Sequence, residues 1–189
     1  MPDRSLPPLA VVHTVAFDFD GVFTDNKVWV DQDGQESVRC DRGDGLAFDL
    51  VRAFQALGRI NAEFFILSKE PNPVVLARAK KLKLVCHHGI GDKLGFMEEY
   101  LSTRFPTDLK PFAGLIYLGN DLNDLPLMRR AGFSVAPSDA HSWVQQIADL
   151  VLEQRGGEGF VRSFIEHLFG MKQLPVKERE EMYEIISNC

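Results

Sequence analysis

Short, continuously apolar runs alternate along the chain with stretches whose apolar residues recur every three or four positions. The runs at 11–17, 63–67, 84–86, 114–118 and 133–136 predict strands, and 46–57, 73–83, 93–104, 122–131 and 140–148 carry the helical period. Strand, helix and strand in repeated order make a parallel sheet covered on both faces. The runs Glu63 to Leu67 and Gly114 to Leu118 are apolar after their first residue, as fully buried strands require. The expectation is an α/β fold with a single doubly wound parallel-sheet domain. Between the first strand and the first helix, Lys27 to Cys40 reads as two short strands around the turn Asp33-Gly34. This is a β-hairpin flap beside the carboxyl edge of the sheet, and no cap domain is inserted. After Gly156-Gly157-Glu158-Gly159 an amphipathic helix runs from Phe160 to Phe169. The domain is therefore placed at 1–170 and a tail at 171–189, mobile or helical only when packed on a neighbour.

Composition narrows the picture. With 189 residues, 45% hydrophobic and 25% charged, the chain can build one substantial core but not two. A net charge of -6 argues against nucleic acid as a partner, since phosphate backbones recruit clustered Lys and Arg. Cys40, Cys86 and Cys189 are widely spaced and suit a reducing, cytoplasmic location. The start of the chain carries no apolar signal core, and no stretch approaches the ~20 apolar residues of a membrane span.

The chemistry is concentrated where strands end. Asp18 and Asp20 stand one residue apart at the exit of the first strand, where a turn at Gly21 lets both face one cavity. Two anions so close call for a hard divalent cation, with one carboxylate free to attack phosphorus and the other to move a proton. Ser68, Lys93 and Gly119-Asn120-Asp121-Leu122-Asn123-Asp124 follow at or just after the ends of later apolar segments. His87 and His88 adjoin a strand too, but adjacent residues on extended backbone point in opposite directions, so they are read as structural.

Asp-x-Asp-Gly-Val-x-Thr-Asp, then Ser, then Lys, then Gly-Asn-Asp-x-x-Asp, in this order across nearly the whole chain, resembles the haloacid dehalogenase (HAD) superfamily of phosphatases. The resemblance implies a Rossmann-like sheet with Mg2+ at its carboxyl edge. It makes Asp18 the nucleophile and a metal ligand, and Asp20 the general acid and base, whose backbone carbonyl also meets the metal. Ser68 would donate to a phosphoryl oxygen and Lys93 would neutralise the charge shared by Asp18 and the phosphate. Asn120 departs from the commoner Gly-Asp-Asp form: its amide binds Mg2+ without bringing charge, and Asp121 and Asp124 could compensate, directly or through water.

Capless chains with Asp-Gly-Val-x-Thr-Asp early and Pro-Ser-Asp-Ala-His late resemble the tetrameric phosphatases of 3-deoxy-sugar-acid phosphates. The implied partner is a small sugar-acid phosphate, and the implied assembly a homotetramer in which a hairpin or tail closes a neighbour's site. Glu70, Lys81 and Glu158 favour the N-acylneuraminate or KDN 9-phosphate branch, with Glu70 and Lys81 as substrate contacts; KDO 8-phosphate is the alternative. A further alternative is a weakened domain serving oligomerisation or regulation, as beside acylneuraminate cytidylyltransferases. A phospho-receiver domain is disfavoured because its acid belongs at the end of a middle strand, where this chain has Ser68.

Overall fold

The computed structural model describes residues 5–187; Met1 to Arg4, Asn188 and Cys189 lie outside the described residues. Six parallel strands form the central sheet: β1 (Thr14–Phe17), β4 (Glu63–Leu67), β5 (Val85–His87), β6 (Leu115–Leu118), β7 (Phe133–Ala136) and β8 (Leu150–Val151). Their spatial order is β5-β4-β1-β6-β7-β8, so β1 lies inside the sheet with β4 on one side and β6 on the other. The hairpin pairs β2 (Thr24–Val30) with β3 (Glu36–Cys40) as a separate two-stranded sheet. Seven α-helices complete the fold among the described residues: α1 (Gly43–Ala56), α2 (Val74–Leu82), α3 (Lys93–Arg104), α4 (Leu125–Arg130), α5 (Ser142–Ile147), α6 (Phe160–Leu168) and α7 (Val176–Ser187).

The pleat explains the double winding. Alternate strand residues enter two cores: Val15, Phe17, Phe64, Ile66, Ile116 and Leu118 pack beneath α1, α2 and α6, with Phe48, Val75 and Phe164 opposite them. Ala16, Phe65, Leu67, Leu115 and Tyr117 face the other way, against Met97 and Leu101 of α3 and Leu127 of α4. Every residue of β1 is buried, and the edge strand β5 exposes Val85. Because helices return antiparallel to the strands, the strand ends and the helix starts gather at one edge, and Asp18, Ser68 and Asn120 stand there.

Four boundaries differ from expectation. The segment 9–11 is a 3-10 turn, so the first strand begins only at Thr14. The run 122–131 divides into a 3-10 turn at Leu122–Asp124 and α4, because Asp121 and Asp124 cap the turn and Pro126 opens the helix behind it. Strand β8 is too short for any periodicity to show. The tail is helical in this chain by itself: α7 packs on α1, burying Met182 and pairing Glu178 with Arg59 at 3.3 Å. No helix among the described residues is long and apolar enough to cross a membrane.

Candidate active site

A cavity of about 520 Å3 opens at the carboxyl edge, lined by Asp18, Asp20, Ser68, Glu70, Asn120 and Asp121 among others. The backbone of β1 runs on to the first of these, since the Asp18 N–H donates to the Leu118 carbonyl at 2.8 Å. Gly21 then turns the chain with φ +73°, and a Cβ there would fall inside Asn120. The Thr24 hydroxyl accepts from the Gly21 and Asn26 N–H groups, both at 3.1 Å, and fixes the turn. Ser68 is held by its own N–H on the His87 carbonyl, and its hydroxyl accepts from the Glu70 N–H at 3.1 Å.

Lys93 lies beneath the cavity, 3% exposed at the start of α3. Its ammonium stands 2.7 Å from Asp18 Oδ1, 2.7 Å from Asp124 Oδ1 and 3.1 Å from the Tyr117 hydroxyl. Asp124 is fully buried, and both its oxygens are filled: Oδ1 accepts from Lys93 and from Tyr117 at 2.7 Å, and Oδ2 from the Asn120 and Asp121 N–H groups at 2.9 and 3.2 Å. Asp124, expected among the metal ligands, anchors Lys93 and the 119–124 loop through these contacts and is not among the residues lining the cavity. Tyr117 was missed in the sequence reading. A phenol in an otherwise apolar buried strand needs a partner, and that was the available signal.

Lys81, expected as a substrate contact, lies apart from this group. It sits exposed in the last turn of α2, seven residues and about 10 Å of helix beyond Val74, and is absent from the cavity lining. Glu70 does line the cavity, with Oε1 accepting from the Asn72 N–H at 2.9 Å. Glu158 is occupied elsewhere, 3.0 Å from Arg39.

The electrostatics follow from one ammonium between two buried carboxylates. Burial works against the Lys93 charge, but Asp18 and Asp124 outweigh it and hold its pKa above the usual value. Burial, and next the Asp124 charge, lift the Asp18 carboxyl above the ordinary range against the pull of Lys93. Both members of the pair rise because the group of three carries one surplus negative charge. Burial followed by repulsion from Glu70 raises Asp20 as well, with Lys93 and the Thr24 hydroxyl opposing. A carboxyl raised in this way and open to the cavity suits general acid work.

A divalent cation fits this site. The Asn120 Oδ1 atom is buried without a hydrogen-bond partner, and it lines the same cavity as Asp18 and Asp20. Among the described residues no three His, Cys, Asp or Glu side chains cluster closely enough to hold a metal. The donors lining the cavity are instead mixed, the Asn120 amide oxygen beside the carboxylates of Asp18 and Asp20, which is chemistry for a hard cation.

No family profile matches the chain. The 3-deoxy-D-manno-octulosonate 8-phosphate phosphatase of Yersinia pestis is 29% identical over 161 residues, 85% of this chain and 81% of that protein. N-acylneuraminate cytidylyltransferase B of Danio rerio is 26% identical over 168 residues, which are 88% of this chain but 37% of that protein. Among solved structures, the octulosonate phosphatase of Moraxella catarrhalis, crystallised with magnesium, phosphate and KDO, has a TM-score of 0.74 at 24% identity over 85% of this chain and 87% of that one. That likeness speaks for the fold. A Streptomyces avermitilis protein assigned to the HAD hydrolase family superposes with a TM-score of 0.77 and is 36% identical over 89% of this chain and 97% of its own. With that identity across nearly both chains, the chain belongs to the HAD superfamily of hydrolases, and within it stands with the phosphoric monoester hydrolases.

Proposed function

We propose that the chain is a Mg2+-dependent phosphatase that hydrolyses the phosphate ester of a 3-deoxy sugar acid through an aspartyl phosphate, with KDO 8-phosphate the best-supported substrate. The observation that carries this reading is the convergence of Asp18, Asp20, Ser68 and Asn120 on one cavity with the Lys93 ammonium against Asp18. The octulosonate phosphatase of Yersinia pestis, aligned over most of both chains, supports the substrate.

Asp18 Oδ attacks phosphorus as the ester P–O bond breaks, and Asp20, holding its proton through burial and Glu70, gives it to the departing alkoxide. Asp20, now a carboxylate, takes a proton from the water that attacks the aspartyl phosphate, releasing phosphate and restoring Asp18. Ser68 donates to a phosphoryl oxygen, and Lys93 keeps the second negative charge from accumulating beside Asp18. The Asp18 carboxylate, the Asp20 carbonyl and Asn120 Oδ1 would hold Mg2+, which would supply positive charge for the phosphoryl oxygens and for the Asp18 carboxylate.

The nine-carbon 9-phosphates form a second reading, favoured by Glu70 in the cavity and by the cytidylyltransferase relative. The octulosonate stands first because its phosphatases align over most of both chains, whereas the cytidylyltransferase match covers 37% of that protein. The homotetramer belongs to this reading too, supported by the exposed Val28, Trp29 and Val30 of the hairpin. The test is phosphate release with Mg2+ from KDO 8-phosphate against N-acetylneuraminate 9-phosphate. Preference for the former supports the reading, preference for the latter moves it to the second, and no release from a folded, Mg2+-loaded sample overturns both.

A further inference from the structure

We propose that Lys69 is the carboxylate receptor of the substrate cleft, the residue that separates a sugar-acid phosphate from the phosphate of a neutral sugar. The inference rests on the proposed function and deepens it. The cavity above Asp18 continues into a second space of about 390 Å3 under the hairpin, and the two share Asp20, Asn26 and Glu70. Along this cleft the ionisable lining is acidic, from Asp18, Asp20, Glu70 and Asp121 to Glu36 beneath the hairpin. Lys69 is the single cation in the lining among the described residues.

A sugar-acid phosphate brings anions at both ends. The phosphoryl end has Lys93 and the metal, but Lys93 is buried and already shared by Asp18 and Asp124, so it has nothing to offer a second anion. Elsewhere in the cleft a carboxylate meets like charge or uncharged groups, and only Lys69 offers it a cation among the described residues. The Lys69 side chain is exposed at the cavity and makes no ion pair among the described residues, so a substrate carboxylate displaces no protein partner. Its backbone, in contrast, is fixed. The Glu70 N–H donates to Ser68 Oγ, the Asn72 N–H to Glu70 Oε1 and the Val74 N–H to Asn72 Oδ1 at 3.0 Å, which pins the loop from β4 to α2 by three short side-chain bonds. A mobile ammonium on a rigid base at the rim selects charge without taking part in phosphoryl transfer.

The experiment compares KDO 8-phosphate with D-arabinose 5-phosphate, a neutral sugar carrying the same kind of primary phosphate, in wild type, Lys69→Gln and Lys69→Arg. Lys69→Gln is expected to lower kcat/KM for the acid substrate by about tenfold or more, chiefly through KM, and to leave the neutral substrate within about twofold. Lys69→Arg is expected to restore most of the loss, because it restores the charge. A wild type that favours KDO 8-phosphate while Lys69→Gln keeps the same preference overturns the inference alone. Equal losses on both substrates also overturn it, as a structural effect of the substitution. A wild type with no preference for the acid substrate overturns both the inference and the reading on which it rests.

Discussion

Lys93 Nζ lies 2.7 Å from Asp124 Oδ1, and neither group is open to solvent. This is a buried ion pair whose carboxylate is otherwise satisfied, so its use is to hold the ammonium against Asp18 as much as to stabilise the fold. Replacing Asp124 by Asn leaves Lys93 paired with Asp18, so no charge is stranded, but it puts an NH2 group where a carboxylate accepts buried hydrogen bonds, and each buried group so left unsatisfied costs about 1–3 kcal/mol. Asp124→Asn should therefore lower the melting temperature and reduce kcat together, checked by calorimetry and steady-state kinetics. A variant with full activity and wild-type stability would show that Lys93 is positioned by something else.

Tyr117→Phe removes one of the four donors to Asp124 without disturbing the packing of β6. The expected loss is about 1 kcal/mol of stability with a reduction in kcat of several fold. Chemical denaturation and turnover of the same sample measure both.

Asp18→Asn should abolish turnover while leaving the protein folded, and even slightly more stable, because it removes the surplus charge from the Lys93 group. Residual activity above about a thousandth of wild type in purified protein would rule out Asp18 as the nucleophile.

Asn120→Asp adds a charge where the buried Oδ1 lacks a partner. The Mg2+ concentration for half-maximal rate should fall by roughly tenfold, since a carboxylate binds a hard cation more strongly than an amide. Activity in both proteins should disappear with EDTA and return with added Mg2+. An unchanged Mg2+ requirement would place the cation away from Asn120.

Asp44, in the first turn of α1, is buried, and its Oδ2 has no hydrogen-bond partner, with the Arg78 guanidinium 3.6 Å away. Burial lifts its carboxyl to about 7 despite Arg78, with Asp41 adding to the rise. The folded pKa lies above the unfolded one, so between about pH 4 and pH 7 the native state binds the extra proton and stability falls as pH rises through that window. Asp44→Asn should flatten this dependence: little change in melting temperature at pH 5 and a rise of several degrees at pH 8 relative to wild type. Parallel pH profiles for the two proteins would remove Asp44 as the cause.

Local pattern determined much of this protein. The periods that predict β1, β4, β6 and β7 and the helices between them are set by which side chains can be buried, and a parallel sheet with both faces covered is the arrangement that satisfies them all. The same pattern put Asp18, Ser68 and the 119–124 segment at strand ends, which is why the cavity was legible before any coordinates. What the sequence could not decide were distances between residues remote along the chain. Only the tertiary structure separates Lys81 from the cavity, because the length of α2 and its direction away from the carboxyl edge carry that side chain off, while Lys69, two residues before Pro71, stays at the rim. Only it assigns Asp124 to Lys93, Tyr117 and two backbone amides, since hydrogen bonds across 3 to 31 residues depend on how the loop folds over β6. The tail's docking on α1 was likewise hidden: α7 is largely polar in sequence, and one buried Met182 with a Glu178–Arg59 pair is too faint a pattern to read without its partner surface.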